Sequence, residues 1–414
     1  MKGVALREGT WVVSARSGAK PPMKRLSLPL LGISFAVLTA RAVYAPIPEQ
    51  EQGKVLSASV TASVYHDSNL FAARTGPVST WVEELGPQLD LNWSATDQTF
   101  VSGRYAVTLD HFDDRPGSKD IVSHELDARL AHEFQPGTTL DLNDGYQIER
   151  NPASLLAGVP VNTDQSYKRN QLDTRFTTGL GDLTSVTLKA QLVNYAYDNA
   201  ALASSIDRDE NLFGLEVARD LRPELKLTGE YRYQTISYDT AGATKDKQSN
   251  FFLAGLNYAA AQKLTLTVRA GLEDRHRDGE PGVTAPSAEL SAKYDYASRS
   301  YLTAGYAFDY EETSNVALYN DTRVNRFFVN VQQALGGSLA ASGSLDFEPS
   351  QLQGRPGVSP DRDETTWRLG LALTWLGAKN WSVSGTYDYD RVNSDDTSRE
   401  YQRNRFGVSA RYSF

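Results

Sequence analysis

The chain has 414 residues, a formal net charge of -9 and no cysteine. The acidic balance argues against a nucleic-acid partner, which requires a concentrated basic surface, and the missing thiols exclude disulfides, thiolate metal sites and cysteine nucleophiles, as suits an exported protein. Mean hydropathy is -0.44, and past the N-terminal region no run approaches the roughly 20 apolar residues of a membrane helix, so helical spanning is excluded.

At the N-terminus, Met23, the basic pair Lys24 and Arg25, the apolar run Leu26 to Leu38 and the small residues that follow have the layout of a secretory signal peptide. Ala40-Arg41-Ala42 offers a cleavage triplet. Val43-Tyr44-Ala45 also fits, but Pro46 just beyond it disfavours that cut. The expected organisation is a non-native leader at 1–22 upstream of the true start, a signal peptide at 23–42, a short periplasmic segment at 43–53 and one domain at 54–414. Composition is even across that domain, with no linker to divide it.

From residue 54 onward apolar and polar residues alternate in segments of about 10 to 14, separated by turn chemistry. Val186, Leu188, Ala190 and Leu192 alternate with Thr187, Lys189 and Gln191, and Leu264 to Leu272 do the same with Thr265, Thr267, Arg269, Gly271 and Glu273. Between 366 and 376, Trp367, Leu369, Leu371, Leu373 and Trp375 share one face, and Arg368, Gly370, Ala372 and Thr374 share the other. Eight residues of strand tilted near 40° separate the two tryptophans by roughly 20 Å along a membrane normal, as interfacial anchors require.

Short links near 94–98, 135–138, 181–184, 222–224, 260–263, 297–300, 336–338 and 377–380 take turns with long ones near 68–78, 112–121, 150–166, 198–208, 239–248, 275–286, 311–321, 349–364 and 391–400. A soluble sandwich also alternates, but it has no reason for this asymmetry. The fold class expected is all-β: a transmembrane antiparallel up-and-down barrel of about 18 strands, with short periplasmic turns and long extracellular loops, in the outer membrane of a Gram-negative bacterium.

The last strand carries the most specific signal. Phe406, Val408, Ala410, Tyr412 and Phe414 share one face, and Phe414 ends the sequence. This resembles the C-terminal signature read by the barrel assembly machinery, and an unpaired strand edge gives such a signal its physical means, β-augmentation.

At the first strand the chain reads Tyr65-His66-Asp67-Ser68-Asn69-Leu70-Phe71. It resembles the aromatic-x-Asp-Asp/Ser-Asn-Leu/Ile-Phe segment near the N-terminus of the family of β-barrel porins that includes the EpsL-type outer-membrane proteins of exopolysaccharide export loci, and departs from the most acidic form at His66 and Ser68. The resemblance implies a barrel that passes exopolysaccharide. Read from the residues alone, Asp67 and Asn69 bond local backbone to shape a loop while Leu70 and Phe71 pack at the rim; ligand or calcium binding is the alternative, and it needs more oxygens than the segment supplies.

Counting inward positions from the short turns places Arg104, Arg129, Arg175, Lys189 and Arg269 about five residues above the periplasmic end, with Arg232, Arg326, Arg368 and Arg405 somewhat higher. These nine are the candidate pore-lining residues. They form either a basic belt that attracts an anionic chain or, with Asp127, Asp173, Glu216, Glu230, Glu289, Asp346 and Asp388 at similar levels, a self-neutralising lattice. Of the five histidines (His66, His111, His124, His132 and His276), His111 and His124 flank one hairpin near Asp110 and Ser123, the nearest approach to a catalytic cluster. With no His-x-x-x-His pair and no Gly-x-Ser-x-Gly elbow, neither catalysis, metal nor cofactor is expected. The expected role is a porin-like channel for exopolysaccharide or other polar solutes; the alternatives are a non-conducting structural or adhesion barrel and a lipid-modifying enzyme at the His111/His124 rim. The expected partners are outer-membrane lipids and lipopolysaccharide, the assembly machinery and a polysaccharide cargo.

Overall fold

The computed structural model describes residues 55–150, 166–239, 246–278, 280–313, 318–377 and 380–414. The expected leader at 1–22, signal peptide at 23–42 and segment at 43–53, and nearly all of the expected loop at 150–166, lie outside these residues.

Eighteen strands follow one another. They are β1 (Leu56–Asp67), β2 (Thr80–Thr96), β3 (Thr99–Phe112), β4 (Asp120–Gln135), β5 (Thr138–Glu149), β6 (Tyr167–Gly179), β7 (Thr184–Tyr197), β8 (Arg208–Arg222) and β9 (Leu225–Tyr238), then β10 (Lys247–Ala261), β11 (Leu264–Arg277), β12 (Val283–Ala297), β13 (Ser300–Glu312), β14 (Tyr319–Ala334), β15 (Leu339–Gly354), β16 (Arg362–Leu376), β17 (Trp381–Ser394) and β18 (Tyr401–Ser413). Each pairs antiparallel with its sequence neighbours, and β18 returns to β1, from Ser59 opposite Ser413 to Asp67 opposite Arg405. The sheet is therefore closed, with no free edge for another chain to join.

Links at one end run from two residues (97–98, 136–137) to four (180–183, 335–338). Gly137 and Gly181 make two of these turns at φ +81° and +79°, where a side chain would be strained. Links at the other end are longer, and one of them contains a helix, α1 (Ala200–Ile206), capped by Asn199, whose side chain accepts from the Ala201 and Leu202 amides. The strands overrun the expected long links: β11 continues to Arg277, and β15 and β16 continue into 349–364, to Gly354 and from Arg362. Past the hydrocarbon band the outer face meets water, so the apolar half of the alternation stops while the backbone ladder goes on. There Gln351 bonds Asp363 across the outer face.

The alternation sorts the wall as expected. Leu369, Leu371, Leu373 and the two tryptophans of β16 face out, and Arg368, Gly370, Ala372 and Thr374 face in, opposite Asp346, Ser344, Ser342 and Ala340 of β15. Aromatic girdles mark both ends of the outer face. Trp381, Tyr412 and Phe414 pack together at the short-turn end, and His66, Trp81 and Phe406 do so at the other. Phe414 also donates its amide to the Ala58 carbonyl, so the last residue helps to close the seam.

Candidate functional site: the inner wall

The inner wall changes character along its length. Toward the short-turn end hydroxyls and amides stand among charges such as Asp141, Arg411 and the Lys226–Asp220 pair. Thr374, Ser384, Ser409 and Ser63 form one lateral row across β16, β17, β18 and β1, with Thr374 and Ser384 bonded at 2.9 Å. Asn257, Thr267 and Ser291 form another across β10–β12, and Thr177 bonds Thr187 at 3.0 Å. Such groups exchange hydrogen bonds with water or solute without a net charge.

Charges line the wall farther up as well; Glu216, Glu230 and Glu289 are paired, whereas Asp127, Asp173, Asp346 and Asp388 make no ion pair within 4 Å among the described residues. Lys189 reaches Glu216 at 2.9 Å and Glu230 at 2.8 Å; Arg232 reaches Glu230 at 3.0 Å and Glu289 at 3.2 Å; Arg269 reaches Glu216 at 3.6 Å. Three cations and three carboxylates thus form one neutral network on β7–β12. Arg129 bonds Asp141 through two nitrogens, at 2.8 and 2.6 Å, Arg326 holds Glu311 and Glu348, and Arg405 meets Asp390 at 3.3 Å. Arg104, Arg175 and Arg368 make no ion pair within 4 Å among the described residues, although Arg104 is opposite Asp90 and Asp127, and Arg368 is opposite Asp346 and Asp390.

All nine basic residues named from the sequence lie on the inner face. Their levels differ from the count. Arg232 shares a lateral row with Arg175, Lys189 and Gly214, and Arg326 shares one with Arg269, Glu289 and Ala307. Rows run oblique to the barrel axis because the strands tilt, so residue counts from separate turns do not add up to common heights.

At the long-loop end the wall is packed. Helix α1 lays Leu202 and Ile206 against the inward Val193, Tyr195 and Tyr197, and Arg208 sits 4.6 Å over the Tyr195 ring while its Nε bonds Glu210. Lys247 and Arg277 share Glu312, and Arg275 and Arg277 share Asp321. The 65–71 segment does what local chemistry suggested. Asp67 accepts from the Asn69 amide, the Asn69 side chain bridges Ala73 in both directions, and Leu70 packs on Val82 and Phe112. Sequence reasoning missed its second role. The Asp67 carboxylate is fully buried against Arg403, the Asn69 amide reaches the Gln402 carbonyl, and Ser68 and Asn404 exchange two bonds. The segment is a clasp on the seam between the first and last strands.

The histidines do not form a catalytic group. His111 bonds Asp120 at 2.7 Å, whereas His124 bonds the Tyr105 hydroxyl at 2.9 Å. Ser123 faces the other side of the wall, toward Glu149 and the Arg150 amide. His132 bonds Thr99 and meets Phe134 edge-on. His66 bonds Ser79 within its aromatic girdle. Among the described residues no group of three or more His, Asp or Glu is placed to hold a metal.

Solved structures of similar shape include OccAB4 of Acinetobacter baumannii, 11% identical over 88% of this chain and 99% of that one with a TM-score of 0.47. The outer membrane protein opdK of Pseudomonas aeruginosa is 12% identical over 87% and 99% with a TM-score of 0.46. The siderophore receptor PirA of Pseudomonas aeruginosa is 10% identical over 88% and 81% with a TM-score of 0.45. No curated protein matches the sequence. The family model described as Putative beta-barrel porin 2 matches residues 181–414, more than half of the chain and the half that does not include the 65–71 segment. With its closed wall, two aromatic girdles and polar interior, the chain belongs to this family and is a porin-like barrel of the outer membrane.

Proposed function

We infer that the barrel is a passive conduit for uncharged or weakly charged polar solutes of the saccharide type, with exopolysaccharide export as its cellular role. One observation carries this reading: below its packed mouth the inner wall is polar, with hydroxyls and amides set among charges of both signs, and the central cations are tied to carboxylates. Charge rings set selectivity when they are unopposed. Here the cations at Lys189, Arg232 and Arg269 have carboxylates within 4 Å, which favours the self-neutralising lattice over a basic belt for an anionic chain. The cargo meets the pore-lining residues Arg104, Arg129, Arg175 and their neighbours as hydrogen-bond donors. Lipids and lipopolysaccharide contact the girdled outer face, and the assembly machinery reads the strand ending in Phe414. Changing Phe414 to Ser should lower the amount of heat-modifiable barrel in outer membranes; unchanged abundance would contradict that role.

The test of the conduit is liposome swelling with the purified barrel. Neutral oligosaccharides should enter faster than anionic ones of equal size. Exclusion of both while salt still conducts would remove the saccharide role, and exclusion of salt as well would favour a structural or adhesion barrel, to which the packed α1 segment at the mouth would then belong.

A further inference from the structure

The outer face carries a carboxylate within its apolar band. Asp144 of β5 shares its lateral row with Ala128 of β4 and Leu172 of β6, and the next row along β5 carries the exposed Tyr146 and Leu126, so its carboxylate is on the lipid side of the wall. Its partner Ala128 is the midpoint of the outward run from Val122 through Leu126 and Leu130 to Phe134, so Asp144 is at mid-height of the apolar band. It accepts from the Asn170 amide at 3.2 Å. Asn170 in turn is opposite Asn194, which donates to Asp209 at 2.9 Å. A polar ladder thus crosses the outer face of β5–β8, with Thr174 one row below Leu172. The matching rows across β11–β13 hold Val268, Leu290 and Tyr306 on the same face.

Hydrocarbon offers a carboxylate nothing, and a charge on the lipid face costs most at the bilayer midplane. One in-plane amide leaves most of the Asp144 acceptor capacity unused. We propose that the outer face of β5–β7 is a self-association surface, covered in the membrane by a second copy of this chain about a two-fold axis along the membrane normal. The patch carries its own complement. Asp144 on β5 is the acceptor, and Asn170 and Thr174 on β6 are the donors. A two-fold axis between β5 and β6 sets each carboxylate against the donors of the other copy, as an isologous contact requires. Gly103 and Ala128, the next residues in the row, let the two walls approach closely. Nothing in this depends on what passes through the lumen.

Because the chain has no cysteine, single introduced thiols report on this directly. Leu172→Cys and, on the apolar wall, Leu290→Cys are compared in native outer membranes with a short bis-maleimide, scoring only heat-modifiable barrel so that misfolded protein does not count. Leu172→Cys should give a band of twice the chain's mass, several-fold above Leu290→Cys, and adding Asp144→Leu should cut its yield by roughly tenfold, about the equivalent of one lost polar contact. Equal yields from the two sites, a yield indifferent to Asp144→Leu, or an adduct whose mass is not twice that of the chain would each overturn the proposal, the last in favour of a different protein on this face.

Discussion

Two regions of the inner wall, a row of hydroxyls and the charged mouth, solve the same problem differently. One oblique row of the polar face consists of hydroxyls alone, Thr374, Ser384, Ser409 and Ser63. At the long-loop end it consists of charges taken out of water and locked together, with Asp67 on Arg403, Glu364 on Arg399, and Glu312 on Lys247 and Arg277. A neutral hydroxyl that loses its neighbour costs about one hydrogen bond, whereas a buried charge that loses its partner costs several times more. The difference teaches that stability is concentrated at the mouth and seam, and permeation is shaped below.

The comparison breaks most visibly at the seam. Arg403→Met should destabilise the barrel by about 3–5 kcal/mol, because it strands a fully buried carboxylate, read as a lower unfolding midpoint of the purified barrel. The exposed pair between Arg74 and Glu400 near the same seam is the control, and Arg74→Met should cost below about 1 kcal/mol. Similar losses from both would mean that the seam owes nothing to burial. Next in size, Ile206→Ala should loosen α1 locally by about 2–3 kcal/mol, since Ile206 is nearly fully buried on Tyr195 and Tyr197. Hydrogen exchange should rise at 200–207 and stay unchanged in β16. Smallest, Thr374→Val in the hydroxyl row should cost about 1 kcal/mol at most. A loss as large as that of Arg403→Met would erase the distinction between the two regions.

Much of the wall was legible in the sequence because a period of two survives any context. The alternation of Trp367 to Trp375 with Arg368 to Thr374 fixes two faces without knowledge of the neighbours, and the alternating link lengths gave the strand number and the two ends. What could not be read was who meets whom across tilt. Arg232 joins Lys189 and Arg175 only once the register of β6–β9 is known, and Asp67 finds Arg403 336 positions away because the barrel closes. The strand ends were misjudged for a related reason: beyond the band, Gln351 and Asp363 pair without an apolar face to announce them. Asp144 was missed because one polar residue in an outward register looks like a slip in an approximate pattern, and only the rows on either side show that the register does not slip.

The central claim, a conducting pore whose wall charges cancel, is tested most directly by the reversal potential of single channels in a planar bilayer under a salt gradient. The native barrel should conduct with a reversal potential near zero. Replacing Arg104, Arg129, Arg175 and Arg269 by Gln should leave Asp141 without its partner and weaken the hold on Glu216, and so make the pore cation-selective with conductance largely kept. A strongly anion-selective native pore would show that the basic residues act as an open belt, and a barrel that carries no current in either form would contradict the account altogether.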